Sequence, residues 1–567
     1  MTQTNLSYIN ITMDEMKERL DEKVQKNDIH HVNINRTEQY ILFLSIGNPK
    51  IRAKVIQVMH ENYQRAFDSL RQKLVKMVRK NHINPEWVKL DIVVSLEETP
   101  FKQLENNIAN TRKNYFRNGI AFDENFKIAF LEQEINGNAL IKNKRGEPPR
   151  LNDKNINHYL NYKAETNMPF MIQRYRNKQV YVFNTISIFK DRNEKCIVKL
   201  YNGDLTNGIR IVNNITEETK KLIEKSTYFL MKQVTESGKF EYGYFSAFAK
   251  RIKTYNILRH SSSLYSMCEG YEIVKDRKII KSVEKGINYL IKEAIVYKGQ
   301  NNRVAYVVDY ANEQEIKLGS NATAILAITK YTEVTGDNKY LGVAKDLARG
   351  IIQMKLPDEG FIHVLSYPTY SIKDLNRIIY YEGEAIFALL RLYAIDKDHF
   401  WLDEVIKTFD YFIENEYWKY HDHWLSYAAN ELTDYIPKEK YFIFGLKNCN
   451  DRLNFIYHRE TTYPTFLELT MAAYKMVQKI KGSKKKHLLT YINEEFLIKT
   501  IDHRAEYQRV GFFYPEIAMF KKLPGLILNG FFIRHHSFRV RIDDVEHYLS
   551  GYCQYYHHRL NRDAKID

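Results

Sequence analysis

"GSNATAILAITKY", Gly319 to Tyr331, has helical length but no polar face: Ala, Ile, Leu and Thr occupy every side of the turn until Lys330. A helix that is apolar nearly all round has to be covered on every side. This one therefore belongs inside a layer of other helices. A more charged helical pattern precedes it at residues 274–297, and a loop rich in aromatic and β-branched residues, "NNRVAYVVDY" (Asn301 to Tyr310), joins the two.

The same three-part unit recurs after Asn214. Charged helical patterns at 216–235, 274–297, 338–355, 401–417, 438–457 and 486–508 are each followed by a loop and a second helix rich in small and aliphatic residues. The second helices contain "YNILRHSSSLYSM" (Tyr255 to Met267), "GSNATAILAITKY", "YYEGEAIFALLRLY" (Tyr380 to Tyr393), "AANELTDYI" (Ala428 to Ile436), "YPTFLELTMAAYKM" (Tyr463 to Met476) and "RIDDVEHYLSGYCQYY" (Arg541 to Tyr556). The period is about 60 residues, with loops of unequal length. Six helical hairpins close into an (α/α)6 toroid, the charged helices outside and the small-residue helices inside. Phe240, Phe361 and Phe512, in the loop phrases "GKF", "EGF" and "VGF", are expected to pin those loops between helices.

Residues 1–213 read differently. "QYILFLSIG" (Gln39 to Gly47), "WVKLDIVVSL" (Trp87 to Leu96), "FKIAFLEQEI" (Phe126 to Ile135), "QVYVFNTISIFKD" and "CIVKLYNGD" have strand length and composition. Arg52 to Lys80 reads as one long helical pattern, and Thr185 and Ser187 read as the polar side of a half-buried strand. The fold class is therefore mainly α: a smaller mixed α/β domain over 1–213, then an (α/α)6 toroid over 214–567.

Hydrophobic residues make up 44% of the 567-residue chain, enough for a sizeable core. The formal net charge of +16 points to an anionic partner. No nucleic-acid-binding signature accompanies it, so nucleic acid is not the expected partner. Cys196, Cys268, Cys449 and Cys553 are scattered, with neither disulfide nor zinc spacing, and no metal or cofactor is expected. The N-terminus lacks a signal-peptide pattern and no apolar run is long enough for a membrane span, which together predict a cytoplasmic protein. The oligomeric state is not readable.

In a toroid of hairpins the six inner helices start at one end, so their free N–H groups and positive dipole ends converge on one mouth. Ionisable residues near those starts are the candidates. In the first inner helix Tyr255, Arg259 and Ser262 share a face, with Asn256 and His260 beside it; Arg259 suits a carboxylate or phosphate. Asn321 opens the second. Tyr380, Tyr381, Glu382 and Glu384 open the third, with Tyr380 and Glu384 on one face. Arg541, Asp543, Asp544 and His547 open the last, and the spacing lets one of the two aspartates orient the His547 imidazole. Glu431 and Arg459 are further candidates. Loop residues Asp309, Glu359, His363, Trp424 and Tyr514 are expected at the rim. Catalytic roles fall to Glu382, Glu384, Asp543, Asp544, His547 and His260. Substrate binding falls to Tyr255, Asn256, Arg259, Asn321, Tyr380, Tyr381, Arg459, Arg541, Asp309 and Trp424.

The phrases "YNILRHSSSLY", "GSNATAILAITKYTEVTGDNKYLGVAKDLA", "DEGFIHV" and "YYEGEAIFALLRLY" resemble the six-hairpin (α/α)6 carbohydrate-active superfamily. That superfamily includes N-acylglucosamine 2-epimerases, glucuronyl C5-epimerases and unsaturated glucuronyl hydrolases. The likeness covers about residues 215–560 and implies a sugar cleft at the loop-bearing mouth. It does not select a reaction: no single family's catalytic set matches position by position. The segment Asn110 to Ile141 is similar to N-terminal regions of bacterial proteins associated with surface polymers. Together these imply an enzyme acting on an anionic bacterial surface glycan, or a sugar-phosphate-type precursor, by hydrolysis, elimination or epimerisation. The alternative is a non-catalytic protein of surface-polysaccharide biosynthesis that binds a polymer or a partner.

Overall fold

The computed structural model describes residues 3–25, 31–81, 83–144, 146–163, 169–203, 205–299 and 303–564. The chain divides into two compact units. One comprises 1–213 with 244–250 and 510–540; the other comprises 214–243, 251–509 and 541–567. Among the described residues, no helix is long and apolar enough to cross a membrane.

The first unit is built on an eight-stranded sheet. Trp87–Pro100 lies antiparallel to Gln179–Asp191 on one side and Thr37–Asn48 on the other. Helices α1 (Gln3–Gln25) and α2 (Tyr63–Asn81) cover one face, burying Met13, Met16, Phe67 and Leu70 against Leu42, Leu44, Leu90 and Ile92. Period-two alternation sends Ile41, Phe43, Phe183 and Phe189 to the other face, with Met519 and Phe520. Further helices are α3 (Phe101–Asn110), α4 (Glu132–Gly137) and α5 (Asp153–Lys163).

Three local readings are corrected. The long helical pattern from Arg52 splits into a strand, Ile51–His60, and α2: the first stretch pairs with Thr37–Asn48, and sheet pairing overrides its helical spacing. Strand structure around Phe130 stops at that residue, because the Glu134 carboxylate accepts the Leu131 N–H at 2.8 Å and starts α4. Thr185 and Ser187 are buried rather than solvent-facing. Both hydroxyls donate to Asp91 Oδ1, at 3.0 and 2.5 Å, and the same carboxylate pairs with buried Lys89.

The second unit is an (α/α)6 toroid. Its outer helices are α6 (Ile215–Gln233), α8 (Arg277–Glu293), α10 (Leu341–Ile352), α12 (His399–Glu414), α14 (Glu439–Asn450) and α17 (Glu494–Gln508). Its inner helices are α7 (Ile257–Val274), α9 (Leu318–Thr335), α11 (Tyr380–Asp396), α13 (His423–Tyr435), α16 (Thr465–Lys481) and α19 (Ile542–Asp563); the short α15 (Leu453–His458) precedes α16, and α18 (Pro515–Ala518) belongs to the first unit. Each inner helix packs on the next and α19 returns to α7, which closes the ring. Asn214, Asp276, Asp398 and Asn493 cap outer helices with their side chains; Asn256 and Asp422 do the same for α7 and α13. Phe240 and Phe361 are buried as expected of loop anchors. The loops of the second and third hairpins go further and form a five-stranded sheet from Ile295 to Asp374.

In the first unit, Arg210 holds Glu516 with two bonds of 2.8 Å, and both side chains are buried. Removing one partner of such a pair strands the other charge. Glu516→Ala should therefore cost about 3–5 kcal/mol in urea denaturation, read on this unit's transition.

Candidate active site at the inner-helix N-termini

Five inner helices bring charged side chains together from their opening turns: Arg259 on α7, Glu384 on α11, His423 on α13, Glu468 on α16, and Asp543, Glu546 and His547 on α19. The sixth, α9, contributes space. A Cβ at Gly319 would stand 2.1 Å from Glu384 Oε2, so only glycine leaves room for that carboxyl.

Arg259 is the hub. Its Nη1 lies 3.4 Å from His547 Nε2 and 3.8 Å from Glu546 Oε1, and its Nε lies 3.8 Å from Asp543 Oδ2. The side chain keeps 26% exposure. Burial works against its charge, but Asp543, Glu546 and Glu384 prevail and push its pKa up.

A guanidinium only donates, so His547 Nε2 accepts from Arg259, and Nδ1 carries the ring proton to Glu468 Oε2 at 3.0 Å. Burial pulls His547 down to about 4. Glu468 accepts the Tyr427 hydroxyl on its other oxygen at 3.0 Å, and burial pushes it up to about 8. Burial likewise lifts Glu384 to about 8, only partly offset by Arg259, and Glu546 to about 7. Asp543 is raised by burial and by Asp544 beside it. Several acids here hold their protons at neutral pH while His547 stays uncharged.

The His423 ring faces His547, with centroids 5.3 Å apart and planes at 79°. Its Nδ1 lies 3.3 Å from Asp422 Oδ1, and the Asp422 carboxylate also accepts the Trp424 and Leu425 N–H groups that begin α13. The capping residue thus also orients the imidazole. His423 Nε2 is buried without a hydrogen-bond partner, an arrangement that natural interiors seldom leave unused. Tyr380, Trp424 and Tyr427 pack around the ring at 5.7, 5.0 and 6.1 Å. A cavity of about 230 Å³, lined by Tyr380, His423, Arg459 and Tyr463 among others, adjoins it. One donor atom each from His423, Glu468 and His547 lies within 4.8 Å of the others, a spacing that a divalent cation could use. The His547–Glu468 hydrogen bond satisfies two of these residues without one.

The structure brings Arg259, Tyr380, Tyr381, Glu384, Asp543, His547 and Trp424 to this neighbourhood. Other candidates are engaged elsewhere. His260 accepts the Tyr255 hydroxyl at 2.7 Å and donates from Nε2 to the Gly286 carbonyl at 3.0 Å; it is fully buried, with its pKa lowered by burial to about 4. It and Tyr255 tie α7 to α8 and the Phe240 loop, because residue 260 lies a third of a turn beyond Arg259 and faces outward. Asn256 is the α7 cap. Asn321 is spent on the backbone of Ala305, Val307 and Leu347. Glu382 binds His363 Nε2 at 2.7 Å, and His363 Nδ1 accepts the Arg377 N–H, fastening the loop to α11. Arg541 forks onto Asp544 at 2.8 and 3.0 Å. Asp309 holds Lys317 at 2.7 Å; Arg459 stays on the wall of the cavity beside His423 while its Nε donates to Thr461 at 2.8 Å. The carboxylate that orients His547 is Glu468, from the neighbouring helix, rather than Asp543 or Asp544. Those two face Arg259 and Arg541.

Neither a protein-family profile nor a curated protein sequence matches the chain. Among solved structures, it is similar to cellobiose 2-epimerase from Bacillus thermoamylovorans (13% identity, 53% of this chain and 88% of that one, TM-score 0.43). It is also similar to a D-mannose isomerase (10%, 61% and 98%, TM-score 0.45) and to a GH76 alpha-mannanase from Bacteroides thetaiotaomicron (11%, 61% and 97%, TM-score 0.44).

Because Glu384 and Glu468 are raised from an ordinary 4.5 to about 8, the folded chain holds protons there that the unfolded chain releases. Their contribution to stability is greatest below the unfolded value and is lost as pH rises towards 8. Denaturation midpoints of the toroid should fall between pH 5 and 8, and Glu384→Gln should flatten that slope.

Proposed function

We propose that the mouth cluster moves a proton at a sugar carbon next to a carbonyl, which makes the protein a sugar epimerase or isomerase. The observation that supports this best is the facing imidazole pair. His423 Nδ1 lies 3.3 Å from Asp422, His547 Nδ1 donates to the Glu468 carboxyl group at 3.0 Å, and His423 Nε2 is left buried without a hydrogen-bond partner. His423 Nε2 removes the proton from the carbon, and the imidazolium so formed returns it to the neighbouring carbon; for return to the opposite face, one of the neutral acids, Glu384 or Glu546, supplies the proton. Atoms balance without a co-reactant, since one proton leaves carbon and one arrives. Arg259 donates to the carbonyl oxygen as negative charge grows on it. Glu384, protonated near neutral pH, suits the opening of a cyclic sugar to its carbonyl form.

The anionic glycan expected from net charge has less support at this site. Arg259 and Arg541, the cations that would grip an anion, are already matched by Asp543, Glu546 and Asp544. An uncharged, hydroxyl-rich sugar stacked on Trp424 or Tyr380 fits the balance better. A second reading is glycoside hydrolysis with Glu384 as general acid, favoured by its raised pKa alone.

A panel of aldoses and disaccharides incubated in D2O and followed by NMR separates these readings. The expected result is product carrying solvent deuterium at the carbon beside the carbonyl, with His423→Asn and His547→Asn each slowing turnover by about 10²–10⁴-fold. Bond cleavage without deuterium uptake, abolished by Glu384→Gln but not by His423→Asn, would replace this reading with hydrolysis. Turnover should fall above about pH 8 as Glu384 loses its proton, and at low pH as His547 gains one towards about 4.

A further inference from the structure

The first unit has a cavity of its own, of about 230 Å³, beside the end of α4 and the start of α5. It is smaller than the roughly 300–1,000 Å³ of pockets for drug-sized ligands, which limits an occupant to about one ring. Amides and phenyl rings build its wall. Asn114, Asn136, Asn143, Asn152 and Asn155 supply the amides, and Phe245, Phe248 and Phe538 supply the rings. Phe248 keeps 52% exposure, so a ligand can still cover its ring. Among the described residues of the wall, Lys142 carries the one charge, and it is exposed.

The amides are held so that acceptors are left over. Asn143 Nδ2 donates to Asn114 Oδ1 at 2.9 Å and to the Ile141 carbonyl at 3.2 Å, which fixes that amide's orientation; its Oδ1 is buried without a hydrogen-bond partner. Asn136 Nδ2 donates to Glu132 Oε1 at 2.8 Å, and Asn155 Nδ2 to the Ala139 carbonyl at 2.8 Å. The oxygens of both have no hydrogen bond among the described residues. Asn152 Oδ1 accepts the Asn155 N–H at 3.4 Å as α5 begins, so its Nδ2 remains a donor. Three acceptors and one donor therefore adjoin one small space, and buried polar atoms are seldom left unmatched. A cation there would meet Lys142, and an anion would meet mostly lone pairs. Hydroxyl groups, which both donate and accept, match the set. The backbone supports a built site: Ala139, Ser537 and Phe538 on the wall hold φ of 51°, 63° and 53°, a left-handed conformation that costs such residues energy and collects at functional sites.

We propose that this cavity binds one neutral sugar ring, stacked on Phe248 with hydroxyls donating to Asn136, Asn143 and Asn155. The inference does not depend on the chemistry of the mouth. Methyl α-D-mannopyranoside, methyl β-D-glucopyranoside and methyl β-D-galactopyranoside serve as probes, because a methyl glycoside does not open to a carbonyl and gives the mouth nothing to turn over. Binding to the full-length protein is read by saturation-transfer NMR and calorimetric titration. The expected result is saturable binding of at least one probe, about three- to tenfold weaker in Phe248→Ala and in Asn143→Ala, retained in Phe248→Trp, and unchanged in His423→Asn. Phe248 is half exposed, so its loss leaves the core intact, and an unchanged denaturation midpoint checks this. Absence of binding at millimolar concentration, or undiminished binding in either alanine variant, would overturn the proposal. So would tighter binding of methylammonium or inorganic phosphate than of any probe. Loss of binding in His423→Asn would move the sugar to the mouth and overturn it as well.

Discussion

Everything in the toroid follows from one constraint: six helices that are apolar nearly all round can only be satisfied inside a closed ring of their own kind. Side chains such as Ala322, Ile325, Ala385, Leu389 and Ala472 are buried against neighbouring helices, with no room for charge along the staves. Ionisable groups are displaced to the two ends. At the end where the helices begin, dipoles and free N–H groups favour carboxylates. At the end where they finish, Lys330, Arg391, Lys475 and Lys479 gather with the carboxyl groups of Glu269, Glu272, Glu333, Glu431 and Asp434, mostly in ion pairs. The two ends therefore differ in chemistry even though the same six helices build both.

At the mouth, close packing of carboxyl groups around one guanidinium changes what each can do. Glu384, Glu468 and Glu546 sit in the interior at higher pKa than in water, and His547 sits lower. Neutral acids and a neutral base then coexist within reach of Arg259, as proton-transfer chemistry near neutral pH requires. The histidines owe their orientation to carboxylates that also have structural work. Asp422 caps α13, and Glu468 ties α16 to α13 through Tyr427. Precision at the site is thus an outcome of how the ring closes.

The limits of the sequence reading trace to particular residues. Arg259, Glu384 and His547 were legible because they interrupt apolar helices with charge. His423 was not, since "HDHWLSY" reads as loop; the cap by Asp422 moves the start of α13 back to His423 and turns that imidazole into the mouth. Glu468 was hidden in "YPTFLELT", where a glutamate in a first turn looks like an ordinary dipole partner. His260 and Asn321 drew attention by polarity. A third of a helical turn, or a strand passing alongside, commits them to holding loops and outer helices.

By itself, the sequence determined the class of fold, the number of hairpins and which helix of each faces inward, because these depend on periodicity and on what a side chain can tolerate next to others. Which polar residues meet was decided only by tertiary structure. A helix start displaced by a few residues, or a face rotated by one position, redirects a side chain, and pairings such as Glu468 with His547 join parts of the chain whose proximity no local pattern encodes.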